Sequence, residues 1–327
     1  MLILSEKDVL AILDQDDQRV LDIVADAYVQ HAAARTSVPH SVFLRFPDDE
    51  VNRIIGLPAF VGGERPVAGF KWVASFPGNV ASGLPRASAV VVLNSMETGR
   101  AEALLEGTHI SARRTGASAA LAARSLAEPD TEQALLIGTG PIQLEILRYL
   151  RIALPSLRKL ALYDLDPARA AAFGAQVGAA WPELTISVEP DLAVALRNNR
   201  LISLATTAIH PHLNLDDVRP GSVVLHISLR DLTPESILDS RNVVDDADHV
   251  SRANTSIHLA ELRTGNRDFI AHSIGELLTA GGNHYDAGVV TVVSPFGLGA
   301  LDMALGDAVR ARAEQTGLGV RIDGFLS

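Results

Sequence analysis

The segment QALLIGTGPIQLEILRYLRIA, residues 133–153, decides the fold of this chain. Residues 134–137 are apolar, as in a buried strand, and the stretch from residue 141 has the apolar spacing of a helix. Gly-Thr-Gly, residues 138–140, joins the two. Glycine permits a tight turn there and lets backbone N–H groups approach a pyrophosphate at the helix N-terminus. This pattern predicts a dinucleotide-binding loop, although Gln143 replaces the third glycine of the usual fingerprint and a purely structural turn stays open.

An acidic residue closes the next predicted strand, LALYD, at Asp164. A carboxylate at this position accepts hydrogen bonds from a ribose diol and repels a 2′-phosphate, so the pattern favours NAD over NADP. Arg169 nearby leaves NADP possible as the cofactor. Alternatively, Arg169 simply belongs to a solvated helix face. The predicted cofactor-binding residues lie in the glycine loop and at two further strand ends: Gly138, Thr139, Gly140, Pro141, Ile142, Asp164, Thr206 and Thr207.

The rest of the chain divides into two kinds of pattern. Residues 6–35 have the spacing of two amphipathic helices, residues 42–94 form short β-rich runs separated by turns, and residues 108–127 are alanine-rich and predict a long helix. Beyond this helix, strands and helices alternate, which indicates a parallel, doubly wound sheet. At 327 residues the chain is long enough for two domains. We predict an α/β protein with a Rossmann doubly wound sheet and an α+β N-terminal domain completed by the C-terminal helix.

Composition restricts the partners and the compartment. The chain has 28 Lys and Arg against 39 Asp and Glu, a formal net charge of −11, which disfavours nucleic acid as a partner. There is no cysteine, so disulfides, thiolate nucleophiles and cysteine-type zinc sites are excluded. Apolar runs are much shorter than a membrane helix needs, and no secretory signal is visible. We therefore expect a cytoplasmic protein without a membrane partner.

Two residues are candidates for proton transfer. Asp231 follows the strand SVVLHIS, at the carboxyl edge of the predicted sheet, where ligands of open α/β sheets bind. Alternatively, Asp231 caps the helix that begins near Thr233. Lys71 lies within an apolar strand, GFKWV, so it is either exposed at an edge or directed into a site that lowers its pKa.

Two arginines in apolar or small-residue settings, Arg45 and Arg114, are candidates for binding a substrate carboxylate, with a surface ion pair as the default for each. The pair His210 and His212 suggests a metal, but no third spaced ligand accompanies it, so we predict no metal site. Trp72 and Phe76 alternate on a strand and are most simply explained as core residues.

Seven segments together resemble the ornithine cyclodeaminase/mu-crystallin family. They are GFKWVASFPGN, GLPRASAVVVLNSMETG, LLEGTHISARRTGASAALAA, LIGTGPIQLEIL, LYDLDP, LRDLTPE and SPFGLGALDMALG. The resemblance covers nearly the whole chain. Within the family it is strongest to the branch of N-(2-amino-2-carboxyethyl)-L-glutamate dehydrogenases, which supply 2,3-diaminopropionate for siderophores and peptide antibiotics.

The resemblance implies a substrate-binding and dimerisation domain over residues 1–116 with 303–327, an NAD-binding Rossmann domain over residues 117–302, and a homodimer. Lys71 matches the lysine of the family's K-x-V strand, Arg114 the arginine of its RTxA motif, and Asp231 the acid after the fifth Rossmann strand. Arg45 is the candidate for the family's early substrate arginine, a position that Arg35 could fill instead.

The resemblance also implies a reaction. NAD would oxidise the carbon–nitrogen bond of the glutamate half of the substrate, and hydrolysis of the resulting imine would give 2-oxoglutarate and 2,3-diaminopropionate. Asp231 would be the general base for the water, and Lys71, Arg45 and Arg114 would bind carboxylates. Three alternatives remain. Two are enzymes: an ornithine cyclodeaminase, which forms proline and ammonia, and an N-alkyl-amino-acid or imine reductase, which consumes reduced cofactor. The third is a mu-crystallin-like protein that binds a nucleotide and a small ligand without catalysis.

Overall fold

The computed structural model describes residues 1–326, which form two compact units. The first unit contains Met1–Arg114 and Gly297–Ser327, and the second contains Thr115–Phe296. The predicted boundary at residue 303 is corrected by this division. It falls inside a helix, α11 (Gly299–Thr316), which packs along its length on the first unit and cannot be divided between two bodies. No helix within residues 1–326 is both long and apolar enough to cross a membrane.

The first unit is an α+β unit built on one mixed sheet of eight strands. Its strand order is β16-β1-β7-β6-β5-β4-β2, with β3 paired to β4. The pairs are antiparallel except for β1 with β7. The elements are β1 (Leu2–Leu4), α1 (Glu6–Leu13), α2 (Asp17–Ala32), β2 (Thr36–Ser37), β3 (Val42–Phe46), β4 (Asp49–Val61), β5 (Val67–Ser75), a 3₁₀ turn (Pro77–Ser82), β6 (Ala87–Asn94), β7 (Ala101–Glu106), α11 and β16 (Val320–Arg321).

The helix α11 approaches the sheet closely because small residues line the contact. A Cβ at Gly299 would lie 3.1 Å from the Cβ of Ala59, and one at Gly69 would lie 2.9 Å from the Sδ of Met303. Glycine at these positions lets the backbones of helix and strand come near each other. As a result, the first turn of α11 is held against the second half of β4 and the middle of β5.

The second unit has a parallel sheet of eight strands in the order β10-β9-β8-β11-β12-β15-β13-β14. The helix α3 (Thr108–Leu126) leads into it from the first unit. Its elements are β8 (Gln133–Ile137), α4 (Pro141–Ala153), β9 (Lys159–Tyr163), α5 (Pro167–Ala180), β10 (Thr185–Val188), α6 (Leu192–Asn198), β11 (Leu201–Leu204), β12 (Val223–His226), α7 (Pro234–Leu238), β13 (Arg241–Val244), α8 (Ala247–Val250), α9 (Ser256–Thr264), β14 (Ile270–Ser273), α10 (Ile274–Ala280) and β15 (Thr291–Ser294).

The strand order confirms the predicted doubly wound sheet. The order of the chain reverses between β8 and β11, which creates a crevice at their carboxyl ends, the usual ligand-binding position of such sheets. The strand predicted to be the final one, β15, lies inside the sheet between β12 and β13. The short elements β1, β7, β14 and α8 to α10 were not predicted, because their patterns extend over few residues.

The glycine at position 116 is required by packing between two helices of the second unit. A Cβ there would lie 2.4 Å from the carbonyl oxygen of Glu145 in α4. We expect Gly116→Ala to destabilise the protein by about 1–3 kcal/mol through overpacking, despite a gain of ~1 kcal/mol in helix propensity.

Gly178→Ala in α5 is the matched control. Its added Cβ would lie 3.7 Å from the nearest atom, so only the propensity gain remains and the variant should be slightly stabilised. Urea unfolding followed by circular dichroism measures both. Equal midpoint shifts of the same sign would show that helix packing at position 116 is not the cause.

Candidate active site

In the first unit, Lys71 lies at the centre of β5 and faces α11. Its side chain is 2% exposed. The Nζ atom donates to Oδ2 of Asp302 at 2.6 Å and to Oγ of Ser111 at 3.0 Å. Its neighbours across the sheet, Leu57 and Val91, are buried and apolar. Of the two possibilities that the sequence left open for Lys71, an exposed edge and an enclosed site, the enclosed one is correct.

The environment of Lys71 lowers its pKa to about 8. Burial is the largest cause, since it disfavours the charged amine, and the positive charge of Arg114 acts in the same direction. The charge and hydrogen bond of Asp302 oppose both effects. Lys71 is therefore mainly protonated at neutral pH and titrates slightly above it.

Arg114 joins Lys71 in the same cluster through α3. Its Nε donates to Oδ1 of Asp302 at 3.2 Å, and its Nη2 donates to Ser111 Oγ at 3.2 Å. The residue is 9% exposed, so the default of a surface ion pair is wrong for Arg114. Gly297, at φ +96°, makes room for the guanidinium, because a Cβ there would lie 2.5 Å from Nη1 of Arg114.

Arg45 is not part of this cluster. It is exposed on β3, where its guanidinium lies 5.7 Å from the ring centre of Phe43. Arg45 pairs with Arg53 of β4, and Lys71 pairs with the β4 residue four positions after Arg53. Because side chains alternate between the two faces of a strand, Arg45, Arg53 and Lys71 all lie on one face of the sheet. Arg35 lies beyond the other end of β4, where its carbonyl accepts from the N–H of residue 62.

In the second unit, Asp231 follows β12 and is fully buried. Its carboxylate accepts hydrogen bonds from the hydroxyls of Thr206 and Ser228, and Nε2 of His226 lies 3.3 Å from its Oδ2. The alternative that Asp231 caps a helix is wrong. Thr233 caps α7 instead, with its side chain accepting from the N–H of residue 236.

The three partners of Asp231 determine its ionisation. Burial alone would raise its pKa, but the contact with the His226 imidazole and the hydrogen bonds from the hydroxyls of Ser228 and Thr206 outweigh that effect and lower the pKa to about 2. Burial lowers the pKa of His226, which leaves the imidazole neutral at neutral pH. Asp231 is therefore an ionised, firmly oriented carboxylate at the carboxyl edge of the sheet.

The glycine loop after β8 has the geometry of a phosphate-binding turn. Gly138 has φ +82°, and a Cβ there would lie 2.6 Å from the carbonyl oxygen of Ala205. Gly140 is the N-cap of α4, and a Cβ on it would meet no atom within 4 Å. Pro141 and Ile142 begin the helix, which has no side-chain cap. Open space and uncapped N–H groups at the N-terminus of a 13-residue helix suit a pyrophosphate.

Asp164, at the end of β9, is linked to this loop. Its Oδ2 accepts from the backbone N–H and the hydroxyl of Thr139, at 2.9 and 2.6 Å. Burial raises the pKa of Asp164, but the hydrogen bonds from Thr139 and Asp166 and the charge of Arg169 together lower it. Asp164 is thus a half-buried, charged acceptor beside the glycine loop, and its binding of a ribose stays a prediction.

The remaining sequence candidates differ in their environments. Thr206 bonds Asp231, as described, and its hydroxyl also accepts from the N–H of Ala208 at 3.1 Å. Thr207 is exposed. His210 and His212 are exposed too, and within residues 1–326 no group of three or more His, Asp or Glu side chains could hold a metal ion.

Sequence reasoning missed the residues that hold the candidates in place. Asp302 lies in a quoted segment, SPFGLGALDMALG, yet a single acid in a helix looks like an ordinary surface residue. The sequence also gives no signal for three further partners, because none of them stands in a recognisable motif: Ser111, His226 and Ser228. A usable signal was the apolar context of Asp302, between Leu301 and a run of small and apolar residues, which disfavours a solvated position.

A parallel sheet with this strand order and a glycine-rich first loop defines a Rossmann-type dinucleotide-binding unit. Comparison with known sequences identifies the family. A sequence profile of the ornithine cyclodeaminase/mu-crystallin family matches residues 2–317, and the chain belongs to this family.

Three known proteins are similar over nearly their whole length. N-((2S)-2-amino-2-carboxyethyl)-L-glutamate dehydrogenase from Staphylococcus aureus is 24% identical over 330 residues, covering 99% of this chain and 98% of that protein. The crystal structure of CmnK has a TM-score of 0.90 and 30% identity, covering 100% of this chain and 99% of that one. An archaeal alanine dehydrogenase dimer with bound NAD has a TM-score of 0.89 and 26% identity, covering 99% of each chain.

Proposed function

We propose that this protein is an NAD-dependent dehydrogenase that cleaves N-(2-amino-2-carboxyethyl)-L-glutamate oxidatively to 2,3-diaminopropionate and 2-oxoglutarate. One observation carries the proposal. Lys71 and Arg114 are two buried cations of one cluster, and both bind the carboxylate of Asp302. A substrate carboxylate is suited to a place beside them, because each cation can donate a charge-assisted hydrogen bond to it.

The choice of substrate rests on a second set of cations. Arg45 and Arg53 face the same side of the sheet as Lys71, and Arg53 lies four residues before the strand partner of Lys71, roughly 13 Å along β4. A substrate with three carboxylates can use cations separated in this way, whereas alanine has one carboxylate. The similarity to the Staphylococcus aureus dehydrogenase supports the same substrate.

NAD is the proposed cofactor, held by the glycine loop and by Asp164. When bound, it would supply the hydride acceptor for the carbon–nitrogen oxidation. The open space at Gly140 and the charged acceptor Asp164 support this assignment, as does the NAD in the similar alanine dehydrogenase dimer.

The proposed reaction consumes one NAD and one water for each substrate and releases one NADH and one proton. Lys71 and Arg114 bind the carboxylate next to the reacting carbon. Loss of hydride from that carbon gives an imine, to which water adds, and cleavage of the carbon–nitrogen bond then releases 2-oxoglutarate and the amine of 2,3-diaminopropionate. Asp231 orients the water and accepts its proton, since this carboxylate is ionised throughout the neutral range.

The test is incubation of the protein with NAD and each of three substrates: N-(2-amino-2-carboxyethyl)-L-glutamate, ornithine and alanine. Absorbance measures NADH, and mass spectrometry identifies products. We expect one NADH for each 2,3-diaminopropionate formed from the first substrate. Proline and ammonia from ornithine without net NADH would identify a cyclodeaminase instead, and pyruvate from alanine would identify an alanine dehydrogenase. Binding of NAD without turnover of any substrate would favour a binding protein.

Asp164 offers a prediction about cofactor choice. We expect Asp164→Asn to weaken NAD binding by about tenfold or more, because a ribose hydroxyl loses a charged acceptor, and to relax the discrimination against NADP, because the charge that repels a 2′-phosphate is gone. Asparagine keeps an oxygen for Thr139, so the loop retains its anchor. Isothermal titration with both nucleotides measures the ratio. An unchanged ratio would mean that the ribose is recognised elsewhere.

We also propose a homodimer formed through the sheet face opposite Lys71. Val42, Trp72 and Val90 lie in one row across the sheet and are 64%, 38% and 38% exposed. The prediction that Trp72 is a core residue is wrong, because it lies on this exposed face. A contiguous exposed apolar surface is typical of a protein interface, and a second copy of the same sheet presents a matching one.

The dimer is tested by Trp72→Glu, which should convert it to a monomer in light scattering coupled to size exclusion. Val188→Glu, at an exposed apolar position of the second unit, is the control that should leave the mass unchanged. A monomeric parent protein would contradict the proposal. The cytoplasmic location and the absence of a nucleic-acid partner stay predictions from composition.

A further inference from the structure

Asp302 lies in the first turn of α11 and is 0% exposed. Each of its carboxylate oxygens accepts from a different cation, Oδ2 from Lys71 and Oδ1 from Arg114. The hydroxyl of Ser111 accepts from the same two cations, which closes a ring of four hydrogen bonds. The helix dipole at the first turn of α11 also favours a negative charge there.

We propose that Asp302 is a positioning residue, which fixes the Lys71 ammonium and the Arg114 guanidinium in one arrangement and keeps Lys71 protonated for binding a substrate carboxylate. The role rests on the proposed function, since it concerns the same substrate carboxylate. Asp302 itself does not need to touch the substrate. It acts through the two cations that it holds.

The arrangement follows from the charges around Lys71. Across the sheet, β4 and β6 present uncharged residues to it, and α3 presents Ser111 and Arg114. Burial and the charge of Arg114 both favour the neutral amine. In this cluster, the negative charge of Asp302 on α11 opposes both effects and favours the ammonium. Without Asp302 the amine would lose its proton more easily, and a neutral Lys71 would be unable to pair with a carboxylate.

Among the described side chains, the ammonium directs two of its three N–H groups at Asp302 and Ser111. The direction of the third is set once the other two are held, and we assign it to the substrate carboxylate. A purely structural ion pair that fastens α11 to β5 predicts something different: removing it would lower stability and leave the titration behaviour of substrate binding unmoved.

The chain is well suited to a direct test, because it has three lysines, Lys7, Lys71 and Lys159. Lys7 and Lys159 are exposed and serve as internal references. Isotope labelling of lysine at Cε gives three signals, and an NMR titration of the free protein gives the pKa of each. In Asp302→Asn we expect the pKa of Lys71 to fall by about one to three units while the references stay constant.

Asp307→Asn is the matched control, since it makes the same substitution on the same helix. Asp307 pairs with Arg310 and Arg65, so the pKa of Lys71 should not change. Arg114→Met keeps the test decisive if Asp302→Asn does not fold. With Arg114 removed and Asp302 in place, the pKa of Lys71 should rise. A folded Asp302→Asn protein with an unshifted Lys71, or an unshifted Lys71 in Arg114→Met, would overturn the proposal.

Kinetics with N-(2-amino-2-carboxyethyl)-L-glutamate provide the second readout. In Asp302→Asn the alkaline limb of kcat/KM should move to lower pH by the shift seen in NMR, with a rise of about tenfold or more in KM near pH 8 and a smaller change in kcat. A shifted pKa without turnover of any tested substrate contradicts the proposed function alone. Turnover with an unmoved alkaline limb overturns the positioning role alone.

Discussion

The Asp231→Asn variant is expected to keep its fold and its affinity for NAD and to lose about 10²–10⁴-fold in kcat. Asparagine has nearly the same shape as aspartate, and the hydroxyls of Thr206 and Ser228 can accept as well as donate hydrogen bonds, so the buried network can adapt. What the variant lacks is a charged acceptor for the proton of the attacking water. Stopped assays of 2,3-diaminopropionate and calorimetric titration of NAD measure the two properties separately.

The control for this variant is Asp239→Asn, at an exposed position that follows α7. It removes the same charge from the same unit and should leave kcat unchanged. If Asp231→Asn retained the parent kcat, Asp231 would have no part in the hydrolysis. If it lost NAD binding as well, Asp231 would instead be a determinant of the nucleotide site.

The Lys71→Met variant is expected to lose about 2–5 kcal/mol of transition-state binding, which is roughly 30- to 4,000-fold in kcat/KM. Methionine fills the buried space between β5 and α11 without a charge, and Asp302 keeps Arg114 as a partner, so the first unit stays folded. The substrate carboxylate loses its ammonium partner. Steady-state kinetics at saturating NAD measure the loss.

The Lys71→Met variant should also change the pH dependence of kcat/KM. Lys71 must be protonated to pair with a carboxylate, so kcat/KM of the parent protein should fall as pH rises through about 8, the pKa of Lys71. Lys71→Met should lack this limb, whereas Lys159→Met, at an exposed position, should retain it. A parent profile that is flat across this range would mean that the charge of Lys71 is not used in substrate binding.

Local signals in the sequence were sufficient for the nucleotide-binding half of the molecule. A tight turn after a strand can be predicted because Gly138 must adopt a positive φ and leave room for Ala205, both of which depend on short-range sterics. The acid at Asp164 follows from the length of one βαβ unit, which fixes where the next strand ends. The helices α4 and α5 begin at prolines, which are typical of the first helical position.

Other features appeared only in the folded chain. The sequence predicts a core position for Trp72 and leaves a surface ion pair as the default for Arg114, yet Trp72 is partly exposed and Arg114 is buried. Side chains alternate between the faces of a strand, and nothing within β5 states which face α11 will cover. That choice depends on a helix more than 200 residues further along the chain.

The sequence by itself determined the class of fold, the glycine loop with its acid, and the identities of Lys71 and Asp231 as candidates, because each of these depends on residue type and on spacing over a few tens of residues. The tertiary structure alone decided that Asp302 meets Lys71 and Arg114, and that His226 lies against Asp231. The physical reason is that burial and pairing of charges depend on which surfaces the fold closes together. The sequence does not distinguish an aspartate whose carboxylate faces water from one whose carboxylate lies between two buried cations.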